Sequence, residues 1–239
     1  MTRSLCLGFL LLASALWFTQ PAFAQQADST KPVQVFILLG QSNMVGLGKI
    51  TGDENSLEHV VKVKKKYPYL LNEAGEWSER DDMRYVRVMD GRGGGTQLFN
   101  NEPLTVKTCK TIGPEFGIAY PLGNAVDAPV MLLKSCIGNR SLGWDLLPPG
   151  SERYEFTTKD KQGNEKRMVY AGYKDRPESW ELDPAKGTAT EPGPWLDKEG
   201  KPIDWYAGKQ YDSDIAKAKQ VLAELDKYYP GAKGYEVAG

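Results

Sequence analysis

A serine follows directly after an apolar run, within the sequence Gly40-Gln41-Ser42-Asn43-Met44. The preceding residues, VQVFILL at 33–39, are typical of a strand buried in a parallel sheet. The carboxyl end of such a strand is where α/β folds bind ligands. A serine there can present its hydroxyl to a cleft, while the amides of the following turn face any negative charge that develops beside it. The pattern predicts that Ser42 is a nucleophile; the alternative is a serine that only caps a helix.

Further segments predict the sheet and helix that would hold this serine. Residues 113–115, Gly-Pro-Glu, are typical of a helix start, and the helix should run to about residue 126. The apolar sequence PVMLLKSCI at 129–137 predicts a second buried strand, which ends in a loop at Gly138. A strand pair is expected around residues 84–89, followed by a glycine-rich turn at 91–95. Strand, helix and strand in this order indicate an α/β fold with a parallel sheet.

The second half of the chain has a different composition. Between residues 148 and 212 Gly, Pro, Lys and Glu are dispersed without a clear period, which indicates a long loop insertion. Aromatic rings in this insertion either stack on sugar faces or form a small core of their own. They belong to Tyr154, Trp180, Trp195, Trp205 and Tyr206. A helical period over residues 214–228 predicts a helix, and a buried strand is expected to begin at Gly234.

The composition fits one globular domain, and the first residues predict that it is exported. With 239 residues, 41% hydrophobic content and a formal net charge of -1, the chain has no large basic field to hold a nucleic acid. Residues 1–24 combine Arg3, an apolar run and small residues before a cleavage point, which predicts a signal peptide and a secreted or periplasmic protein. The mature domain would span residues 25–239. No later apolar stretch predicts a membrane anchor, and oligomeric state is not determined by the sequence.

Two cysteines remain in the mature chain. Cys109 and Cys136 either pair in an oxidising compartment or are two small buried side chains. Their spacing and the lack of histidine partners argue against a zinc site.

Three segments of the mature chain resemble one family. FILLGQSNMVG at 36–46, GPEFGIAYPLG at 113–123 and KSCIGNRSLGWD at 134–145 are similar to the SGNH hydrolase superfamily, in its sialate O-acetylesterase-like branch of carbohydrate acetylesterases. The resemblance implies a three-layer, flavodoxin-like α/β fold with a parallel central sheet. In this sequence that fold would carry a long loop insertion and would be incomplete at the carboxyl terminus.

The same resemblance implies the residues of the site. Ser42 is the nucleophile, and the amides of Ser42 and Gly138 would be two donors of the oxyanion hole. Asn139 stands where the branch usually has a second glycine, so it either contacts the substrate in the oxyanion hole or only shapes the turn. Gln41 and Asn43 would orient the loop or bind the substrate.

The branch also has a Gln-Gly-Glu segment on the next strand and an Asp-x-x-His segment near its carboxyl terminus. This sequence ends at Gly239, before the first of these segments. We therefore expect a fragment that lacks the catalytic Asp and His and is nearly inactive by itself. His59 is the single histidine and stands in a polar stretch, where we expect a surface position.

The resemblance therefore implies an exported serine esterase that hydrolyses O-acetyl esters of carbohydrates through an acyl-enzyme. Its partner would be an acetylated carbohydrate substrate, and neither a metal nor an organic cofactor is implied. Two alternatives stay open: a non-catalytic carbohydrate-binding protein of the same fold, and a general short-chain or lipid esterase. The sugar and the acetylated position are not determined by the sequence, because one fold supports many functions.

Overall fold

The computed structural model describes residues 27–90, 95–182, 193 and 196–239. The predicted signal peptide, residues 91–94 of the predicted glycine turn and Trp195 lie outside the described residues. The described residues form a mixed α/β protein.

The described strands, in chain order, are β1 (Val33–Gly40), β2 (Gly48–Lys49), β3 (Glu79–Asp90), β4 (Thr96–Thr105), β5 (Thr111–Ile112), β6 (Val130–Cys136), β7 (Tyr154–Lys159), β8 (Glu165–Tyr170), β9 (Ser179–Glu181) and β10 (Tyr235–Val237). The described helices are α1 (Ser42–Val45), α2 (Glu115–Ala125), α3 (Lys209–Ala223) and α4 (Leu225–Tyr228), with a π-helical turn at His59–Val63 and a 3-10 turn at Pro68–Leu70.

The central sheet has five described strands in the order β10-β1-β6-β3-β4. The first four run parallel to one another, and β4 runs antiparallel to β3. The predicted parallel arrangement is thus confirmed for four strands, while the edge strand β4 makes the sheet mixed. The strand pair expected around residues 84–89 is the pairing of β3 with β4. Parallel strands leave the sheet at the same edge, which brings the loops after β1 and β6 together.

The two faces of the sheet pack against different helices. On one face Phe36 and Leu38 of β1 lie in a core with Phe116 of α2. On the other face Val33 and Val35 pack with α3, because successive side chains of a strand point to opposite sides. Strand β6 is buried along its whole length, as a strand covered on both faces must be.

The predicted helices are present with shifted bounds. Helix α2 ends at Ala125, close to the predicted residue 126. The helix predicted over 214–228 begins earlier, at Lys209, and is interrupted at Glu224, whose backbone leaves the helical region before α4. The early start was missed because Gln210 and Asp214 are polar and yet fully buried, so hydropathy does not identify their face as a core face.

The prediction of a loop insertion without regular structure was wrong. Strands β7, β8 and β9 form a three-stranded antiparallel sheet within residues 148–212. Asp160 closes the β7–β8 turn, since its carboxylate accepts hydrogen bonds from the amides of Gln162 and Asn164 at 2.9 Å each. Trp180 packs with Trp144 in a separate small core, as one of the two readings of the aromatic residues expected. Charged residues on both sides of these strands hide the alternation that would have predicted them.

Strand β10 lies beside β1, with Tyr235 opposite Val33. All three of its residues are exposed, so the prediction of a buried strand after Gly234 was wrong for the described part of that strand. Exposure follows from its position at the edge of the described sheet. Among the described residues, no helix has the length and apolar character needed to cross a membrane.

Candidate active site

Ser42 and Gly138 meet where two neighbouring parallel strands end. Gly40 of β1 lies opposite Cys136 of β6, so the loops that follow them leave the sheet side by side. A methyl group placed on Gly138 would lie 3.9 Å from both Cα and Cβ of Ser42. The absence of a side chain at Gly138 leaves space above the serine for a substrate atom.

Ser42 begins the short helix α1, but it is not the cap of that helix. Gln41 is the N-cap residue, and its side-chain oxygen accepts the Ser42 amide hydrogen bond at 2.6 Å. The Ser42 hydroxyl donates to the same oxygen of Gln41. The capping alternative for Ser42 is therefore excluded by the geometry. The half-buried Ser42 hydroxyl and the Ser42 backbone amide therefore share one acceptor, the side-chain oxygen of Gln41.

Glycines are required on both sides of the serine. A Cβ at Gly40 would lie 2.6 Å from Cβ of Met44, so only glycine allows the chain to turn this tightly after β1. Gly46 has a φ of 87°, and a Cβ there would lie 2.3 Å from the amide nitrogen of Gly113. At Gly46 the lack of a side chain allows the serine loop to lie directly against the segment that precedes α2.

An open cleft of about 490 Å³ lies beside the serine loop. Its lining includes Gln41 and Asn43 on one side, Gly113 and Pro114 on another, and the exposed side chain of Leu142. Both predicted substrate-binding residues of the serine loop therefore line a concave surface. A cleft of this size accepts a small ligand.

A buried polar cluster lies behind the strand end that carries Ser42. The side-chain nitrogen of Gln210 on α3 donates to the carbonyl oxygen of Gly40 at 2.9 Å and to Asp214 at 3.1 Å. The Ser135 hydroxyl donates to the other carboxylate oxygen of Asp214 at 2.7 Å. Within the described residues, the side-chain oxygen of Gln210 is buried without a hydrogen-bond partner. Helix α3 thus holds the residue that precedes the serine loop.

Burial raises the pKa of Asp214 from 3.8 to about 6, because removing a carboxylate from water disfavours its charged form. The hydrogen bonds from Ser135 and Gln210 oppose this effect, and the nearby carboxylate of Asp90 reinforces it. Asp90 itself lies 3.2 Å from the ammonium nitrogen of Lys217. The cluster therefore changes its charge in the mildly acidic range.

A fully buried ion pair fixes the other wall of the cleft. The ammonium nitrogen of Lys134 on β6 lies 2.8 Å from one carboxylate oxygen of Glu115. The second oxygen of Glu115 accepts the Gly113 amide at 2.9 Å. The sequence placed Glu115 at a helix start, where an acid is favourable, but it did not predict that this acid is buried and paired. The charged residue inside the apolar sequence PVMLLKSCI was the available signal, since a buried lysine requires a partner.

Asp145 organises the loop that carries Gly138. Its carboxylate accepts hydrogen bonds from the Ser141 amide at 2.7 Å and from the indole nitrogen of Trp205 at 2.6 Å. Asn139 is exposed and has a φ of 58°, in the left-handed region that asparagine tolerates better than most residues. The adjacent Arg140 lies over the Trp205 ring, 4.3 Å from its centroid. The insertion thereby contacts the candidate active site.

The structure brings Ser42 and Gly138 together, and the residues on either side of the serine, Gln41 and Asn43, line the cleft. Asn139 follows Gly138 with its side chain exposed. The polar residues behind the site, Gln210 and Asp214, were missed by sequence reasoning, because no local pattern connects them to residue 40.

The remaining predicted residues lie outside these contacts. His59 is half-buried in the π-helical turn, where its amide bonds to Ser56. Cys109 and Cys136 are both free thiols, which decides against the disulfide alternative in this structure. Burial raises the pKa of Cys109 to about 12 and that of Cys136 to about 11, so neither is a ready nucleophile.

No family model and no curated protein matches the chain. Among solved structures, an Arabidopsis thaliana protein determined by X-ray crystallography is similar over 47% of this chain and 43% of its own, at 16% sequence identity and a TM-score of 0.24. The match thus spans less than half the length of that protein.

Proposed function

We propose that this protein is a serine ester hydrolase that removes acetyl groups from carbohydrates. The observation that supports the proposal most is the position of Ser42 beside Gly138, at the carboxyl ends of β1 and β6, next to an open cleft. The proposal includes a three-layer SGNH fold. It is supported there by α2 and α3, which lie on opposite faces of the mostly parallel sheet.

In the proposed reaction the Ser42 hydroxyl attacks the acetyl carbonyl carbon and forms a new C–O bond, while its proton passes to a general base. The carbonyl oxygen becomes an oxyanion that accepts hydrogen bonds from the Ser42 and Gly138 amides. Gln41 must first release the Ser42 amide, and the oxyanion then takes the position of the Gln41 side-chain oxygen. The tetrahedral intermediate then collapses and expels the sugar oxygen, which receives the proton that the general base took from Ser42. Water hydrolyses the acetyl-enzyme, which releases acetate and restores the Ser42 hydroxyl.

The reaction needs a general base at the Ser42 hydroxyl. Within the described residues, Gln41 is the hydrogen-bond partner of that hydroxyl and no histidine or carboxylate contacts it. The general base is therefore not among the described residues that contact the Ser42 hydroxyl.

Replacing Ser42 with alanine in the full-length protein tests the proposal. We expect acetate release from a partly O-acetylated oligosaccharide to fall by at least about a thousandfold, because the nucleophile is removed. Ser151→Ala, in the insertion, is the matched control and should keep full activity. Retention of activity in Ser42→Ala would show that another residue is the nucleophile.

A non-catalytic carbohydrate-binding protein is the second candidate. The hydrogen bond from the Ser42 hydroxyl to Gln41, an amide that cannot take up its proton, is the observation that favours it. Isothermal titration of the wild-type protein with the same oligosaccharide, followed by an acetate assay, separates the two functions. Binding without acetate release supports the second candidate.

A further inference from the structure

A second groove adjoins the candidate active site. Gly113 and Pro114 line both the cleft beside Ser42 and a neighbouring groove of about 360 Å³. The floor of this second groove contains the buried side chains of Leu70 and Phe116. Because the two hollows share part of their lining, a ligand that extends out of the active-site cleft enters the second groove.

Two tyrosines stand in the second groove and face solvent. Tyr67 is 48% exposed and Tyr69 is 41% exposed. Their ring centroids are 6.1 Å apart with an angle of 61° between the planes, and the Tyr69 ring also packs 4.8 Å from that of Tyr120. Both rings are thus partly exposed, and the Tyr69 ring packs against a further tyrosine ring.

The backbone holds Tyr67 in an unfavourable conformation. Its φ of 55° and ψ of 53° lie in the left-handed region, which is costly for a bulky residue. It also precedes Pro68, and a residue before proline normally adopts an extended conformation. Glycine would occupy this position without strain. Strained residues of this kind cluster at ligand clamps, where the side chain has a task.

We propose that Tyr67 and Tyr69 form a sugar-binding subsite, which holds a pyranose ring next to the sugar whose acetyl group lies at Ser42. This proposal rests on the proposed function and specifies its substrate as an oligosaccharide. A pyranose ring has an apolar C–H face that covers an aromatic ring and hydroxyls that bond to the phenol oxygens at its edge. An acyl chain fits less well, because the groove is open and would leave much of the chain in water.

Kinetics of the full-length protein on two substrates test the subsite. For Tyr67→Ala we expect the KM for a partly O-acetylated xylo-oligosaccharide to rise roughly tenfold, the effect of losing one aromatic contact. The kcat on this substrate and the hydrolysis of 4-nitrophenyl acetate should stay unchanged, since neither depends on the second sugar. Tyr67→Phe, which keeps the ring, should stay within about threefold of the wild-type KM.

Two further variants control for folding and for nonspecific binding of the sugar to exposed tyrosines. Tyr67→Gly removes the ring and relieves the left-handed backbone, so it should fold at least as well as the wild type and show the same rise in KM. Tyr154→Ala removes a tyrosine that is 56% exposed on β7, outside the groove. It should change neither the KM for the oligosaccharide nor the hydrolysis of 4-nitrophenyl acetate. An unchanged KM in Tyr67→Gly overturns the proposal.

A direct binding measurement separates failure of the subsite from failure of the esterase. Isothermal titration of Ser42→Ala, with and without Tyr67→Gly, uses the deacetylated xylo-oligosaccharide and needs no turnover. Weaker binding in the double variant supports the subsite even if the wild type releases no acetate. Equal binding overturns the proposal. In the kinetic experiment, a Tyr67 effect that is confined to the long-chain ester 4-nitrophenyl octanoate also overturns it and identifies the groove as an acyl site.

Discussion

The central sheet and the insertion at residues 148–212 differ in the burial of their charged side chains. At the sheet, the side chains of Lys134 and Glu115 are 0% and 1% exposed. In the insertion, the paired side chains of Lys166 and Glu181 are 38% and 49% exposed. Buried ions lose their hydration and are maintained only by close partners, whereas exposed pairs contribute little. Buried charge occurs where the backbone of the candidate active site must be held in place, as at Gly113.

This comparison predicts that the same substitution has very different effects in the two regions. Lys134→Met leaves the Glu115 carboxylate buried without its partner, and should cost about 3–5 kcal/mol of unfolding free energy. For a chain of this size that is a fall in Tm of roughly 10 °C. Thermal unfolding followed by circular dichroism measures it.

Lys166→Met on β8 is the matched control, and should leave Tm essentially unchanged, because both members of its pair are solvated. Adding Glu115→Leu to Lys134→Met should restore part of the loss, since no uncompensated charge then remains buried. Equal effects of the two lysine substitutions would show that burial of the Lys134 pair does not matter for stability.

The buried carboxyl group of Asp214 should make the unfolding free energy depend on pH. Its pKa is raised to about 6 in the folded protein, so the folded state binds more protons than the unfolded state between about pH 4 and pH 6. Unfolding free energy should therefore fall as the pH rises through this window, by on the order of 3 kcal/mol, and level off above it. Urea unfolding at several pH values measures the slope.

Asp214→Asn should remove this slope while keeping the shape of the side chain. The asparagine oxygen can accept from the side-chain nitrogen of Gln210, and the asparagine amide can donate to the hydroxyl oxygen of Ser135. If wild type and Asp214→Asn show the same pH dependence, another group titrates in this range.

Within the described residues of the insertion, Arg153 forms a pair with the largely buried Asp175, for which we expect the smallest of these effects. Asp175 accepts from Arg153 at 2.6 Å and from the Gly172 amide at 2.8 Å, while the Arg153 side chain is largely exposed. Asp175→Asn should cost about 1 kcal/mol, less than a buried pair because solvent screens the arginine. The hydrogen bonds lower the pKa of Asp175, although its burial acts in the opposite direction, so its contribution is lost as the pH falls below about 4.

Urea unfolding of Asp175→Asn at neutral pH and at pH 3 measures this contribution. The difference from wild type should shrink at the lower pH, because the wild-type carboxylate is then largely protonated. A loss as large as that of Lys134→Met would contradict the distinction between the two regions.

Much of the central sheet could be predicted because its elements have local patterns. An apolar run predicted β1 and β6, and Gly-Pro-Glu predicted the start of α2. The insertion sheet could not be predicted in this way, since β7 is exposed along almost its whole length and both β7 and β8 carry charged residues. Strand β4 shows the same limit, because pairing direction depends on contacts between strands and not on the composition of either one.

The sequence by itself determined that Ser42 follows an apolar segment typical of a strand, and that glycines flank it, because these are properties of neighbouring residues. Only the tertiary structure decided what surrounds the serine. Gln210 holds the Gly40 carbonyl from 170 positions away, and Lys134 finds Glu115 across the interface of β6 and α2. Hydrogen bonds of this kind form where the folded chain brings distant groups within 3 Å, and they leave no periodic trace in the sequence.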